Sequence, residues 1–183
     1  SKTLEENKIE LTVKKIGEFT TAMHNLEEGD RLKINGPRGE SLNFDESIKM
    51  DVVFLAGGSG ITPFMSSLRY AYEKKLSNDL TLLFSNRTEE DVIYRSELDD
   101  MKEEDNIRVI HTFDVETPRN WQGEEGRIDK DMIEKYVDNP REKLWYICGP
   151  PPMIDAMVEI LENLEVPEDR MRWEDWQIEG KHD

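Results

Sequence analysis

"AGGSGITPF", residues 56–64, follows the apolar run "DVVFL" at 51–55 and leads into a stretch with apolar residues at helical spacing. A strand that enters a helix through glycines leaves backbone N–H groups unpaired at the helix start. Those donors, with the positive end of the helix dipole, make an anion site. Gly57, Gly58 and Gly60 let that backbone approach a bulky ligand with no Cβ in the way, and Ser59 and Ile61 complete the turn. Pro63 suits a first helical turn, where no N–H is needed, and Thr62 offers a cap or a hydroxyl. No Gly-Lys-Ser/Thr follows, which excludes a Walker-type phosphate loop. Pro63 also stands where the third glycine of Gly-x-Gly-x-x-Gly belongs. Taken alone, the turn is equally a tight strand–helix joint.

Outward from this turn the chain alternates strand and helix, the pattern of a parallel sheet with crossover helices. "DVVFLAG", "LTLLFS", "NIRVIHTF", "KLWYICG" and "RMRWEDWQ" read as five strands. Helices are expected at 62–76, from near Tyr94, at 129–137 and at 152–164. Phe64, Met65, Leu68, Ala71, Tyr72 and Leu76 form one apolar face; Met153, Met157, Ile160, Leu161 and Leu164 form another.

Ser85, Asn86 and Arg87 fall at the carboxyl end of the second strand. In a doubly wound sheet the ligand crosses that edge, and the second strand's end meets the adenosine ribose. An Arg there accommodates the extra phosphate of NADP, so Arg87 with Ser85 leans toward NADP, with NAD left open. The plain alternative is a surface Arg balancing Glu89, Glu90 and Asp91. "YICGPPPMIDAM" at 146–157 supplies a second glycine turn on the same edge, with Cys148 at the sheet's rim. Its plain alternative is a buried thiol, and with no His or Lys adjacent in sequence it is not read as a nucleophile.

Residues 9–15, "IELTVKK", alternate apolar and polar, and "RLKING" at 31–36 reads as a second short strand before a Gly/Pro turn. Between them Phe19, Met23 and Leu26 recur at helical spacing. This opening third reads as antiparallel and barrel-like, too short to close a barrel alone.

The net charge is −17 in 183 residues, with the acids spread along the chain. That balance excludes nucleic-acid and anionic-membrane binding as first readings, because phosphate contacts need Lys and Arg patches. One cysteine and three scattered histidines leave no disulfide, iron–sulfur cluster or structural zinc for this chain alone. No apolar run approaches the ~18 residues of a membrane span, and no signal-peptide pattern opens the sequence. The expectation is a soluble cytoplasmic protein with no membrane insertion.

"GGSGITP", "SNRTEEDVIYRSEL" and "CGPPPMI", in this order, resemble the ferredoxin–NADP reductase superfamily of flavin reductases. "GEFT" at 17–20 and "GDRLKINGPRG" at 29–39 look like the end of that family's flavin-binding barrel. The resemblance implies an α/β fold: a doubly wound, parallel five-stranded sheet over 46–183, preceded over 1–45 by part of an antiparallel β-barrel. It implies that Gly57 to Pro63 hold the pyrophosphate and nicotinamide ribose, with Thr62 near the nicotinamide. Ser85, Asn86 and Arg87 would address the adenosine end. Cys148, Gly149, Pro150 and Pro151 would line the hydride-transfer site, with Met153 near the dinucleotide. Gly17 to Thr20 match the segment on the flavin pyrophosphate. Glu174 and Trp176 are the C-terminal pair beside the flavin, with Trp173 a rival; Cys148, Thr62 and Glu174 are the catalytic candidates.

One departure stands out. The family's Arg-x-Tyr-Ser motif, which stacks on the flavin, is absent before "SKTLEENKIELTV". The expectation is a fragment of a longer FAD protein, inactive in isolation, whose NADP- or NAD-derived electrons go to an unidentified acceptor. The rival readings are a non-catalytic dinucleotide-binding redox sensor and an electron-transfer subunit of a larger complex.

Overall fold

The computed structural model of the protein describes residues 9–36, 39, 41–102 and 104–174. Its centre is a six-stranded parallel sheet built from β1 (Val52–Gly57), β2 (Leu80–Asn86), β3 (Ile107–Phe113), β4 (Glu124–Glu125), β5 (Leu144–Cys148) and β6 (Met171–Trp173). The order is β4-β3-β2-β1-β5-β6, so the chain builds outward from β1 and then reverses to add β5 on its other side. The reversal leaves a crevice at the carboxyl ends of β1 and β5, the place where open α/β sheets take ligands.

β1 and β5 are buried along their whole length, which is why they read as unbroken apolar runs instead of alternating ones. Two layers cover the sheet. On one face lie α2 (Ile61–Lys74) and α3 (Arg95–Met101), over Phe54, Phe84, Phe113 and Tyr146. On the other lie α4 (Lys130–Tyr136) and α5 (Pro151–Asn163), over Leu55, Leu83, Trp145 and Ile147. Asp129 caps α4 by accepting from the Met132 N–H at 2.8 Å. No helix among the described residues is long and apolar enough to cross a membrane.

Three sequence expectations change. The sheet has six strands, not five: β4 is two glutamates paired with Thr112 and Phe113, too short and acidic to show as a strand. Residues 9–15 and 31–36 are not strands, so the expected antiparallel barrel remnant is not seen. A strand forms only where its N–H and C=O groups find a neighbouring strand; among the described residues these stretches pair with none, and Val13 O is hydrogen-bonded to His24 Nε2 at 2.8 Å instead. Ile9, Leu11, Leu32 and Ile34 accordingly remain exposed. The predicted helical turn between them does form, as α1 (Glu18–His24). Finally, Tyr72, assigned to the buried face of α2, is largely exposed, and Ile61 and Ser67 are buried there instead.

Candidate functional site

The two predicted glycine turns meet at the carboxyl edge. β1 passes through a 3₁₀ turn, Gly58–Gly60, directly into α2. Gly58 takes φ +53°, a left-handed conformation that glycine adopts without strain, and a Cβ there would meet nothing within 4 Å. Gly60 is constrained by contact instead. A Cβ on it would overlap the Cys148 carbonyl oxygen and sit 2.8 Å from Gly149 N. A Cβ on Gly57 would lie 2.5 Å from Met153 Sδ, and one on Gly149 2.8 Å from the same sulfur. The β1–α2 and β5–α5 turns are thus packed backbone to backbone, with Met153 filling the seam.

Their chemistry differs. Neither Gly57 nor Gly60 makes a side-chain cap, so no side chain caps the start of α2, and Thr62 Oγ1 closes the turn by donating to Ser59 O at 2.7 Å. At α5, Pro150, Pro151 and Pro152 carry no N–H, and the first available donor, Met153 N, already bonds Pro150 O at 2.8 Å. The start of α2 is engaged in a similar way, its cap N–H groups bonding Gly58 O and Ser59 O, so the difference between the two turns lies in the three consecutive prolines at α5. The β5 turn contributes close apolar walls and Gly149, with Cys148 buried behind it on the α2 and α3 face of the sheet.

Ser85 lies opposite Gly57 in register, Asn86 ends β2 and Arg87 follows. Arg87 is exposed, and its carbonyl accepts from Val115 N at 3.1 Å and Glu116 N at 3.0 Å. Asn86 is buried, and its carboxamide has no hydrogen-bond partner among the described residues; the same holds for the imidazole of His111 in β3, on the same sheet face. Burial pushes His111 down to about 4, aided by Arg95 and Lys102 on α3 and opposed by Asp99. His111 was not flagged by its sequence, since a lone histidine inside "RVIHTF" carries no local signal. Asp114 closes β3; its N–H donates to Asn86 O at 3.1 Å, and its carboxylate pairs with Arg127 at 3.5 Å.

The remaining candidates lie elsewhere. At α1, Ile16 N and Gly17 N both donate to Thr20 Oγ1, at 2.9 and 3.0 Å, so two backbone donors that could hold a flavin diphosphate are engaged within the protein. Glu174 lies against Gly39, where its carboxylate would collide with any Cβ. Trp173 packs on the α4 and α5 face of the sheet, and Trp176 lies outside the described residues. Two side chains missed by sequence reading tie the 41–48 segment to the sheet: Tyr146 Oη donates to Asn43 O at 2.7 Å, and Arg172 reaches both, at 3.1 and 3.4 Å. A shallow hollow of about 540 Å³ beside them, lined by Ser41, Asp169, Met171, Arg172 and Trp173, includes no residue of either glycine turn.

Comparison with known proteins agrees with this geometry. Residues 54–159 match the family model of the oxidoreductase NAD-binding domain. An NADH-cytochrome b5 reductase 2 of Mycosarcoma maydis is 35% identical over 77% of this chain and 41% of the relative. The sulfhydrogenase 1 subunit gamma of Pyrococcus furiosus is 33% identical over 84% of the chain and 53% of the relative. Among solved structures, the CS and b5R domains of human Ncb5or in the NAD+ form superpose with a TM-score of 0.76 at 26% identity, covering 89% of this chain and 47% of that one. The cytochrome b5 reductase domain of Ulva prolifera nitrate reductase gives 0.72 at 26% identity, covering 86% and 64%. The chain spans about half the length of the curated relatives it matches.

Proposed function

We propose, for a chain that belongs to the oxidoreductase NAD-binding domain family, that it is the dinucleotide-binding unit of an NADH-dependent flavoprotein reductase. The observation that carries this reading is the close meeting of the β1–α2 and β5–α5 turns at the topological switch point, through Gly57, Gly60 and Gly149, with no side chain capping α2. The dinucleotide's diphosphate would sit against the Gly58–Gly60 turn that leads into α2. Its adenosine would run over the ends of β2 and β3, and its nicotinamide would face Thr62, Cys148 and Gly149. The flavin supplies the hydride acceptor. This chain's residues bind and orient the donor and keep water from the nicotinamide; they need no general acid or base.

NADH is the proposed donor, in place of the NADP lean that Arg87 alone suggests. Arg87 is flanked by Glu89, Glu90 and Asp91, and Asp114 stands beside the end of β2. A carboxylate there suits a free ribose hydroxyl and repels a 2′-phosphate. The names of the NADH-cytochrome b5 reductases point the same way. A second reading, an electron-transfer subunit of a larger enzyme, is favoured by the likeness to the sulfhydrogenase gamma subunit; both readings share the same nucleotide site. Residues 9–36 are assigned, as part of this proposal, to the flavin side of the protein.

Calorimetric titration of the chain with NADH and NADPH tests the reading. Saturable NADH binding, tighter than NADPH, is expected. Binding of neither at millimolar concentration would overturn it.

A further inference from the structure

Tyr94 has φ +59° and ψ +23°, a left-handed backbone on a bulky aromatic residue, immediately before α3. Such a residue keeps that conformation only where its surroundings over-determine it. Here they do. Tyr94 Oη donates to Glu10 Oε1 at 3.0 Å and is hydrogen-bonded to Thr12 Oγ1. Arg69 of α2 lies over the Tyr94 ring, 5.2 Å from its centroid. Arg69 itself is fixed by a two-pronged pair with Glu97 of α3, at 2.5 and 2.7 Å, and reaches Glu10 at 3.1 Å. Three separate pieces of chain, 9–12, α2 and α3, thus converge on one strained residue.

The position of that residue gives the strain a consequence. Tyr94 terminates the 87–93 loop, which begins at the adenosine end of the proposed site. Its carbonyl already accepts the first α3 bond, from Leu98 N at 2.9 Å. Relaxed to a right-handed backbone, Tyr94 would join α3 as a further helical residue and redirect the loop that enters it. The left-handed penalty corresponds to about tenfold in a conformational equilibrium.

We propose that Glu10, Thr12 and Arg69 act through Tyr94 as a clasp that holds the 87–93 loop in the shape that receives the adenosine half of the dinucleotide. Residues 9–12 then set nucleotide affinity without touching the nucleotide, and Tyr94 is a positioning residue. The inference rests on the nucleotide reading above and deepens it.

ADP serves as the probe of the adenosine half and nicotinamide mononucleotide as the probe of the other half. Tyr94→Phe keeps the ring and loses the hydroxyl. It is expected to weaken ADP binding about tenfold, to leave nicotinamide mononucleotide binding unchanged, and to speed amide exchange at 88–93. Tyr94→Asn, a residue that tolerates the left-handed region without the clasp, is expected to recover most of the ADP affinity. Glu10→Gln with Thr12→Val, remote from the sheet, is expected to behave as Tyr94→Phe. Unchanged ADP affinity in Tyr94→Phe, or equal weakening of both probes, overturns the proposal. Should the parent chain bind neither probe nor NADH, the nucleotide reading fails instead. The exchange measurement then still decides the clasp, since unaltered exchange at 88–93 would refute it.

Discussion

The carbonyl carbon of Cys148 lies 2.5 Å from where a Cβ of Gly60 would be. That single approach joins the two turns of the crevice and explains a glycine whose backbone does not require one. Gly60 has φ −63° and ψ −11°, ordinary right-handed values open to any residue. Its constraint is purely steric, whereas the constraint on Gly58 is purely conformational.

The two glycines should therefore fail differently. Gly60→Ala forces the β1–α2 and β5–α5 turns apart and is expected to cost about 1–3 kcal/mol as an overpacked contact, with NADH binding lost. Gly58→Ala meets open space and is expected to cost about 1–2 kcal/mol through its left-handed backbone alone. Denaturant unfolding of both variants, with NADH titration of each, checks the contrast; equal effects on binding would contradict it.

Nucleotide choice is the second expectation. Asp114 stands beside the end of β2, held by its N–H to Asn86 O. Asp114→Asn removes a charge near the end of β2, one that also pairs with Arg127 at 3.5 Å, and is expected to raise NADPH affinity by roughly three- to tenfold, in line with surface-pair electrostatics of about 1 kcal/mol, and to weaken NADH, so that the preference for NADH narrows. Paired titrations of parent and variant decide it.

The parallel sheet was legible because β1 and β5 are buried along their whole length and are written almost wholly in apolar residues, with β2 and β3 mostly buried beside them. The glycine turns were legible because close backbone approach demands a missing Cβ. Other features have no such local signature. β4 exists only because Glu124 and Glu125 lie beside Thr112 and Phe113, a fact of tertiary placement. Ile9, Leu11, Leu32 and Ile34 alternate as strand residues do, yet alternation specifies a face and not a partner. Three prolines after Cys148 pointed to a helix start, but their lack of N–H groups removes that helix from phosphate binding, which took the structure's pairing of Met153 N to expose. Tyr146 and His111 read as ordinary strand residues. Their roles depend on Asn43 and on α3, which are far from them in sequence.

Tyr146 yields the third expectation. Its hydroxyl, raised in pKa chiefly by burial, donates to Asn43 O and accepts from Arg172. Tyr146→Phe is expected to lower stability by about 1 kcal/mol, the net worth of a part-buried hydrogen bond. It should also expose the 41–48 segment to faster proteolysis. Intact protection of that segment in the variant would show that packing of Phe44 on Phe54, 6.2 Å between ring centroids, suffices to hold it.

His111 makes the last expectation, on acid stability. The imidazole is 6% exposed, packs 5.8 Å from Phe84 by ring centroids, and has neither nitrogen partnered among the described residues. Burial holds it neutral, with its pKa down at about 4 from an ordinary 6.5. Arg95 and Lys102 on α3 oppose protonation, and Asp99 favours it. Between those two values the unfolded chain takes up a proton that the folded one refuses, so stability must fall as pH drops through that window. At about 1.4 kcal/mol per pH unit the drop reaches about 3 kcal/mol by the pH at which the folded histidine is itself protonated. His111→Phe removes the titrating group from an aromatic-lined site and is expected to flatten the unfolding free energy between pH 6.5 and 4, while the carboxylates held low by their partners, such as Asp51 beside Lys143, still lose stability below that range. Urea unfolding of both proteins across this window gives the two slopes, and parallel slopes would mean that His111 does not carry the acid sensitivity.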